Sequence, residues 1–440
     1  RNAYGPYFQR QRVEIYHTYA KSLVERGLAY PCFCTEEELD KVRAKQEEDK
    51  VLTGYYGEYA TCRNLSYEEI EANIKAGKPY VLRLRSQGSP DKEITFVDAI
   101  KGEIKLPENI HDIVLLKKDG IPTYHFAHAI DDHLMRTTTV VRGGEWRASA
   151  PIHYELFHLL GFKMPAYAHT AHLMKFDEET GGKRKLSKRK DPELSLDYYR
   201  KDGYHPYTMK VYLLTLLNSN FEEWHEKFPD KDINEFPFSV EKMNQSGALF
   251  DKDKLHNICK NELSKLSEEE LYDFLYDWAK ENEPENVEKW FGDREKMLQI
   301  LRLYMGVGAK RRRKDLMYAK QIFELISYFF DGESAEEMDE FKLDEDMVSK
   351  ILKSYLAKYD HNDDNSVWFN KLKEIADEHG FASDMKAYKA NPENFKGNVS
   401  DIAEAVRIAV TGRANTPDLW TIVHIMGEEQ MTERIKKHIK

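Results

Sequence analysis

The sequence predicts an α/β first part followed by an all-α second part. In the first part, up to residue 184, short β-branched and aromatic runs alternate with helical patterns, as in a parallel, doubly wound sheet. In the second part, apolar residues recur at helical spacing and few runs are typical of strands. The chain has 440 residues, too many for one hydrophobic core, so we expect three or more domains.

The first predicted element is an amphipathic helix over residues 9–26, which Gly27 ends. Three strands are expected after it, each a short apolar run next to turn residues. They cover Tyr80–Arg85, Ile94–Val97 and Ile113–Leu116. A further helix is expected in the segment Pro122–His133.

A β-branched run marks the next strand. Thr138–Val141 predicts a short buried strand that ends at Arg142. A helix follows, because Pro151 suits a first helical turn. Strand, helix and strand at this spacing indicate a parallel sheet, in which functional side chains lie at the carboxyl ends of strands. Arg142 is therefore a candidate anion ligand.

The second part is predicted to consist of helical bundles joined by linkers. An apolar stripe over residues 209–217 indicates a helix. Polar or acidic breaks, which we interpret as linkers, fall near residues 230–237, 331–339 and 360–365.

Two more helices are expected near the end of the chain. Ser400 is expected to cap a helix that Gly412 ends. Thr416–Pro417 is expected to begin another helix, which ends at Gly427.

The overall charge is acidic, with a formal net charge of −11 from 77 Asp and Glu against 66 Lys and Arg. Proteins that bind nucleic acid are usually basic, so any RNA contact here must come from local basic patches. No run of apolar residues is long enough to cross a membrane. The four cysteines form no disulfide framework and fit a reducing cytosol.

Two stretches are locally basic. Six of the twelve residues in Gly181–Pro192 are Lys or Arg, with flexible glycines before them and a proline after them. This pattern predicts a mobile loop that binds a polyphosphate. The second stretch, Lys310–Lys314, is more typical of a solvated helix face than of an RNA contact.

Metal-ligating residue types occur in two patterns. Cys32, Cys34 and Cys62 have a spacing compatible with zinc, but no fourth ligand is evident, since Tyr59 or Asn64 would be unusual. Two interpretations stay open with equal weight: a zinc site, or small buried residues. The histidines occur in close pairs (125 and 128, 153 and 158, 169 and 172) without a His-Glu-x-x-His frame, so we expect scattered polar histidines.

The basic loop carries a family resemblance. Lys185–Arg189 resembles the Lys-Met-Ser-Lys-Ser loop of class I aminoacyl-tRNA synthetases, in the Lys-Leu-Ser-Lys-Arg form typical of glutamyl-tRNA synthetases. Further segments resemble the bacterial-type glutamyl-tRNA synthetases in the same order along the chain, a combination far more specific than the five-residue loop. They are Gly5–Tyr7, Gly27–Tyr30, Cys32–Cys34, Asp119–Ala127, Asp131–Met135, Arg142–Trp146 and Ala409–Arg413.

The resemblance implies a domain order. An incomplete Rossmann-type catalytic domain with a tRNA acceptor-binding insertion is followed by helical stem-contact and anticodon-binding domains. The implied boundaries are 1–123 for the insertion, 124–184 for the second half of the catalytic domain, 185–265 for the signature loop and stem-contact domain, and 266–355 and 356–440 for two anticodon-binding subdomains.

The resemblance also implies the activity of a glutamate–tRNA ligase. Glutamate attacks the α-phosphorus of ATP, taken up with Mg²⁺, to give glutamyl-adenylate and pyrophosphate, and the glutamyl group then passes to the terminal ribose of tRNA(Glu). Neither step demands a protein nucleophile, so positioning and charge stabilisation should dominate catalysis. The implied partners are tRNA(Glu), ATP and L-glutamate, and we expect a cytoplasmic monomer.

The residues that match the family's motifs receive roles in the same way. Lys185 and Lys188 are implied to be catalytic, holding the phosphates as pyrophosphate leaves. Arg142 is implied to pair with a substrate carboxylate, with Tyr124 and His128 in the same glutamate pocket. ATP binding is implied for Glu145 and for the loop residues Lys185, Leu186, Ser187, Lys188 and Arg189.

Three features depart from the family pattern. The His-Ile-Gly-His-type motif of the family's nucleotide fold is absent, so we expect an N-terminally truncated chain that is inactive without a segment carrying that motif. His128 stands where the family commonly has Asn, and residues 176–180 add an acidic stretch.

Two alternatives remain. A glutaminyl-tRNA synthetase would end in β-barrels, which the helical second part disfavours. A non-catalytic tRNA-binding relative would not need the phosphate-binding loop.

Overall fold

The computed structural model describes residues 4–177, 179–330 and 338–440. The chain forms two compact units. The first comprises Arg1–Lys185 and Thr215–Phe250, and the second comprises Leu186–Leu214 and Asp251–Lys440. Most of the linker expected at 331–339 lies outside the described residues.

The strands within the described residues all belong to the first unit. They are β1 (Ala29–Cys32), β2 (Val81–Leu84), β3 (Glu93–Asp98), β4 (Gly102–Pro107), β5 (Val114–Leu116), β6 (Thr139–Gly143), β7 (Ala166–Thr170), β8 (Leu173–Phe176), β9 (Lys183–Lys185) and β10 (Ala248–Leu249).

The α-helices are distributed over both units. They are α1 (Val13–Glu25), α2 (Glu36–Glu48), α3 (Tyr67–Lys75), α4 (Tyr124–Leu134), α5 (Ala150–Leu160), α6 (Leu196–Asp202), α7 (Pro206–Leu217), α8 (Phe221–Lys227), α9 (Lys252–Leu263), α10 (Glu268–Asn282), α11 (Val287–Phe291), α12 (Arg294–Met305), α13 (Ala319–Ile326), α14 (Glu345–Lys358), α15 (Asn365–His379), α16 (Met385–Ala390), α17 (Val399–Thr411), α18 (Leu419–Met426) and α19 (Glu428–Lys436).

A four-stranded sheet, in the order β4-β3-β7-β6, forms the centre of the first unit. Strand β7 runs parallel to both β3 and β6, and α5 connects β6 to β7. The predicted parallel strand–helix–strand unit is therefore confirmed. Strand β4 was not predicted, although Ile104 and Leu106 alternate along it; it forms an antiparallel hairpin with β3.

Strand β6 is in the predicted place, but the prediction that it is buried is wrong. Val141 is 55% exposed, and Thr139 is exposed as well. The physical reason is that, within the described part of the chain, β6 is an edge strand of this sheet and pairs with β7 alone. β-branched composition indicates a strand but does not tell an edge strand from a central one.

The first unit contains two further sheets, one that includes the strand ending at Cys32 and one that includes the start of the basic stretch. Strands β1, β2 and β5 form an antiparallel sheet that packs with α1, α4 and α5 around a core containing Tyr16, Leu84 and Phe126. Strand β9 pairs with β8, so the basic stretch begins as a strand. The prediction of a wholly mobile loop is wrong for Lys183–Lys185.

The second unit is helical throughout its described residues, as predicted. One continuous apolar core joins α10, α12, α13, α14, α15, α17, α18 and α19. Two predicted helix starts need correction by two residues each. Asn398, not Ser400, caps α17, because its side chain accepts from the Ser400 N–H and Asp401 reciprocates. Asp418, not Thr416, caps α18.

Lys310–Lys314 lies between α12 and α13, so the prediction of a helix face is wrong. Arg311 and Arg313 line a cleft of about 730 Å³ whose wall also includes Arg302 and His424. Within the described residues, no helix combines the length and the apolarity that a bilayer crossing requires.

Candidate active site

Three strands of the central sheet carry polar residues at their carboxyl ends. Asp98 is the last residue of β3, Arg142 lies one residue before the end of β6, and His169 occupies the same place in β7. The parallel register pairs Arg142 directly with His169. Carboxyl ends of parallel strands are where open α/β sheets bind ligands. The predicted position of Arg142 at a strand end is therefore observed.

Arg142 lies among aromatic rings and imidazoles. Its Nε donates to His169 Nε2 at 3.0 Å, and its Nη2 lies 3.2 Å from His153 Nδ1. The guanidinium carbon is 4.6 Å from the centroid of the Tyr167 ring. The Nη1 atom is buried and has no hydrogen-bond partner among the residues that the structure describes. A buried guanidinium donor without a partner is costly unless a ligand supplies the acceptor, and a carboxylate suits it best.

The histidines expected to be scattered form one cluster instead. His125, His128, His153 and His169 come from α4, α5 and β7, and His125 Nδ1 lies 2.9 Å from His153 Nε2. The ring centroids of His128 and His153 are 4.5 Å apart. Among the described residues, His158 and His172 make no hydrogen bond to the cluster. Two of the three close pairs in the sequence are therefore divided between the cluster and its surroundings. Helical packing of α4 against α5 brings the rings together.

Burial favours the neutral form of three of these imidazoles. It lowers the pKa of His153 to about 2, and the positive charge of Arg142 acts in the same direction. Burial also lowers the pKa of His125 and of His169, in the second case against the attraction of Asp98. Arg142 therefore carries a permanent positive charge, and the two imidazoles that face it, those of His153 and His169, are uncharged acceptors.

Tyr124 and His128, which the sequence assigns to the glutamate pocket, lie next to each other in α4 and contribute ring faces. Their rings stack with centroids 5.6 Å apart and planes 8° apart, and Trp146 lies 4.4 Å from Tyr124. Both nitrogens of His128 already have neighbours, Tyr167 Oη at 2.7 Å and Asp132 at 2.9 Å. His128 is therefore arranged to offer its ring, and not a polar atom, to a ligand.

Glu145 follows β6 and faces two basic groups. Its carboxylate lies 3.7 Å from Lys185 Nζ and 3.4 Å from His172 Nδ1. The pKa of Glu145 is lowered, mainly by its own backbone N–H; burial acts to raise it, and the charge of Lys185 lowers it further. The structure thus brings together two of the residues assigned to ATP, Glu145 and Lys185.

The rest of the predicted loop is a hydrogen-bonded turn in the second unit. Leu186 is buried, and the buried Asp191 accepts from the Ser187 N–H at 2.7 Å while its own N–H donates to Ser187 O. Leu186 and Asp191 therefore anchor the two ends of the turn. Lys188, Arg189 and Lys190 between them are exposed.

The three cysteine sulfurs lie close together, and the hydroxyl of Tyr55, a residue that the sequence spacing did not suggest, lies beside them. The sulfurs of Cys32, Cys34 and Cys62 lie within 4.8 Å of one another. The hydroxyl of Tyr55 is 3.4 Å from Cys32 Sγ and 3.3 Å from Cys34 Sγ. Tyr59, considered as a ligand from the sequence, donates to Asp49 instead.

Comparison with known proteins gives the family. The sequence profile described as tRNA synthetases class I (E and Q), catalytic domain, matches residues 1–257, and the anticodon binding domain profile matches residues 270–439. The glutamate–tRNA ligase of Acetivibrio thermocellus is 53% identical over 436 residues, which are 99% of this chain and 79% of that protein. The chain belongs to the glutamate–tRNA ligase family.

Further members of the glutamate–tRNA ligase family support the assignment. The enzyme of Clostridium perfringens strain SM101 is 46% identical over all of this chain and 80% of its own length. A crystal structure of a glutamate tRNA ligase from Elizabethkingia meningosepticum in complex with its amino acid matches with a TM-score of 0.73 and 26% identity, covering 99% of this chain and 84% of that chain. The predicted family and fold class are confirmed, and neither alternative gains support.

Proposed function

We propose that this chain, together with a segment that supplies the His-Ile-Gly-His-type motif, activates L-glutamate with ATP and transfers the glutamyl group to tRNA(Glu), with Arg142 as the receptor for a glutamate carboxylate. The observation that carries this proposal is the buried, unpartnered Nη1 of Arg142 at the carboxyl edge of the parallel strands. The glutamate–tRNA ligase relatives supply the reaction.

The first step needs positioning more than it needs a protein nucleophile. The α-carboxylate of glutamate attacks the α-phosphorus of ATP, the bond to the β-phosphate oxygen breaks, and pyrophosphate leaves. Arg142 holds a glutamate carboxylate while Tyr124 and His128 pack against the substrate. ATP is taken up as its Mg²⁺ complex, in which the metal neutralises phosphate charge. Lys185 and Lys188 offset the negative charge that builds on the departing pyrophosphate.

In the second step, the hydroxyl of the terminal ribose of tRNA attacks the activated carbonyl, and AMP leaves. An acidic protein must bind tRNA through local basic groups. We assign this role to the exposed Arg189 and Lys190 and, in the region that matches the anticodon binding domain, to Arg311 and Arg313. The domain boundaries at 123, 184, 265 and 355, a monomeric state and a cytoplasmic location belong to the same proposal.

Aminoacylation by the protein that includes the motif-bearing segment, with separated tRNA isoacceptors, tests the function, and the variants below are made in that protein. We expect labelled glutamate to be attached to tRNA(Glu) in an ATP-dependent reaction that releases AMP, and glutamine not to be attached. The same assay with tRNA(Gln) shows whether a second isoacceptor is charged. Attachment of glutamine in preference to glutamate would refute the proposal.

We also propose that Cys32, Cys34 and Cys62 bind one structural zinc ion, with the Tyr55 hydroxyl as the fourth group. A tetrahedral zinc with Zn–S bonds of about 2.3 Å holds its sulfurs roughly 3.8 Å apart. The observed sulfurs, all within 4.8 Å, need only a small contraction to reach that geometry. Cys32 ends β1 and Cys34 follows it, whereas Tyr55 and Cys62 lie between α2 and α3, so the site joins the segments on either side of α2.

Cys34→Ser is expected to lose this zinc. Metal analysis of purified wild type should give about one zinc per chain, because three thiolates and a fourth ligand make a closed site. Cys34→Ser should bind little zinc and melt at a lower temperature, since binding free energy of a structural metal is folding free energy. Cys259→Ser is the matched control, because Cys259 is buried beside Thr208 in the second unit and should leave zinc unchanged. If the purified wild type is well folded and contains no zinc, the proposed zinc site is wrong.

A further inference from the structure

Two imidazoles position Arg142, and the ring nitrogen that each presents to it must be unprotonated. An Arg guanidinium keeps all its N–H groups at any accessible pH, so each nitrogen that faces it must offer a lone pair. His169 Nε2 and His153 Nδ1 face Arg142 at 3.0 and 3.2 Å. The proton of neutral His169 is therefore on Nδ1, and the proton of neutral His153 is on Nε2.

Asp98 selects the tautomer of His169. The Asp98 Oδ2 atom is 2.5 Å from His169 Nδ1 and also accepts from the His169 backbone N–H. The Oδ1 atom accepts from the N–H groups of Ile100 and Lys101 at 2.9 Å. Burial acts to raise the pKa of Asp98, but these hydrogen bonds hold it below its usual range. A buried carboxylate that only accepts requires the proton on His169 Nδ1.

We propose that Asp98 and His169 are positioning residues for glutamate recognition. Asp98 keeps His169 in the tautomer protonated on Nδ1, and the lone pair on Nε2 fixes the Arg142 guanidinium so that its Nη1 atom is directed to the substrate carboxylate. This inference rests on the proposed role of Arg142.

The register of the sheet supports this assignment over simple core packing. Arg142 and His169 are direct neighbours on β6 and β7, and Asp98 ends β3 on the other side of β7. Asp98 is paired with Tyr167, two residues before His169 on the same face of β7, and reaches His169 diagonally. The three side chains thus form a hydrogen-bonded chain across the sheet: carboxylate, imidazole, guanidinium. His153 holds the second edge of Arg142, which leaves Nη1 as the donor without a partner. A carboxylate that oriented Arg142 directly would neutralise it, whereas a neutral imidazole orients it and leaves its charge for the substrate.

Two substitutions at one position separate positioning from packing. In His169→Gln the amide oxygen reaches the place of Nε2 and can still accept from Arg142. In His169→Asn the shorter amide reaches the place of Nδ1, keeps the contact with Asp98 and loses the acceptor for Arg142. We expect the KM for glutamate in aminoacylation to rise about tenfold in His169→Asn and about threefold or less in His169→Gln, with the KM for ATP unchanged in both.

His158→Asn is the matched control, because His158 is exposed on α5 and outside the hydrogen-bonded chain. Nitrogen-15 NMR of histidine-labelled wild type gives an independent measurement, with the His169 signal assigned from its loss in His169→Gln. We expect the neutral tautomer protonated on Nδ1. The opposite tautomer, or a charged ring at neutral pH, would refute the inference without reference to activity.

The remaining outcomes are also decisive. Equal rises in the KM for glutamate and for ATP in both variants, with lower melting temperatures, would make His169 a packing residue and refute positioning. An unchanged KM for glutamate in His169→Asn refutes positioning if Arg142→Lys raises that KM. If Arg142→Lys leaves it unchanged too, the proposed role of Arg142 fails, and the tautomer measurement still reports on the Asp98–His169 pair.

Discussion

Arg142→Ala is expected to lower kcat/KM for glutamate by about a hundredfold to a thousandfold, because truncating one partner of a buried charge pair has a cost of this order. The buried Nη1 would no longer be present to bind the carboxylate. The KM for ATP should stay the same, since Arg142 contacts imidazoles and rings and no phosphate-binding residue. Glutamate-dependent pyrophosphate exchange in the presence of tRNA measures both constants.

Arg147→Ala is the control for Arg142→Ala. Arg147 follows β6 within the same segment but is exposed, and we expect less than about a twofold change, as for most surface substitutions. Arg142→Lys tests geometry apart from charge. A lysine cannot donate to His169 and His153 as a planar fork does, so we expect an intermediate loss. A wild-type KM for glutamate in Arg142→Ala would contradict the proposed pocket.

Lys188→Ala is expected to slow adenylate formation by about a hundredfold to a thousandfold, the effect of losing one donor positioned for transition-state charge. Lys188 is exposed in a turn whose ends are anchored by Leu186 and Asp191, so truncating it should not unfold the turn. Affinity for tRNA should stay within about twofold, because one surface cation among several contributes little to that affinity.

Lys201→Ala removes the same charge from the exposed end of α6 and serves as the control for Lys188→Ala. Pyrophosphate exchange reports on the chemical step, and titration of labelled tRNA reports on affinity. A normal exchange rate together with weakened tRNA binding would contradict the prediction and show that Lys188 binds the phosphates of tRNA and not those of ATP.

The sequence alone determined several of the elements and the family. Helical periodicity located α1, α5 and α7, and β-branched runs located β3, β5 and β6, because these patterns depend on neighbours within one element. The signature loop and the segments around it identified the glutamate–tRNA ligases, because motif order along a chain needs no knowledge of contacts. Arg142 could be placed at a strand end for the same reason.

The tertiary structure alone decided which side chains meet. His125, His128, His153 and His169 come from three elements, so no spacing in the sequence could show their cluster. Tyr55 reaches the cysteine sulfurs although Tyr59 is nearer to Cys62 in sequence. The pairing of Arg142 with His169, and of His169 with Asp98, depends on strand order and register, which are set by packing across the whole sheet.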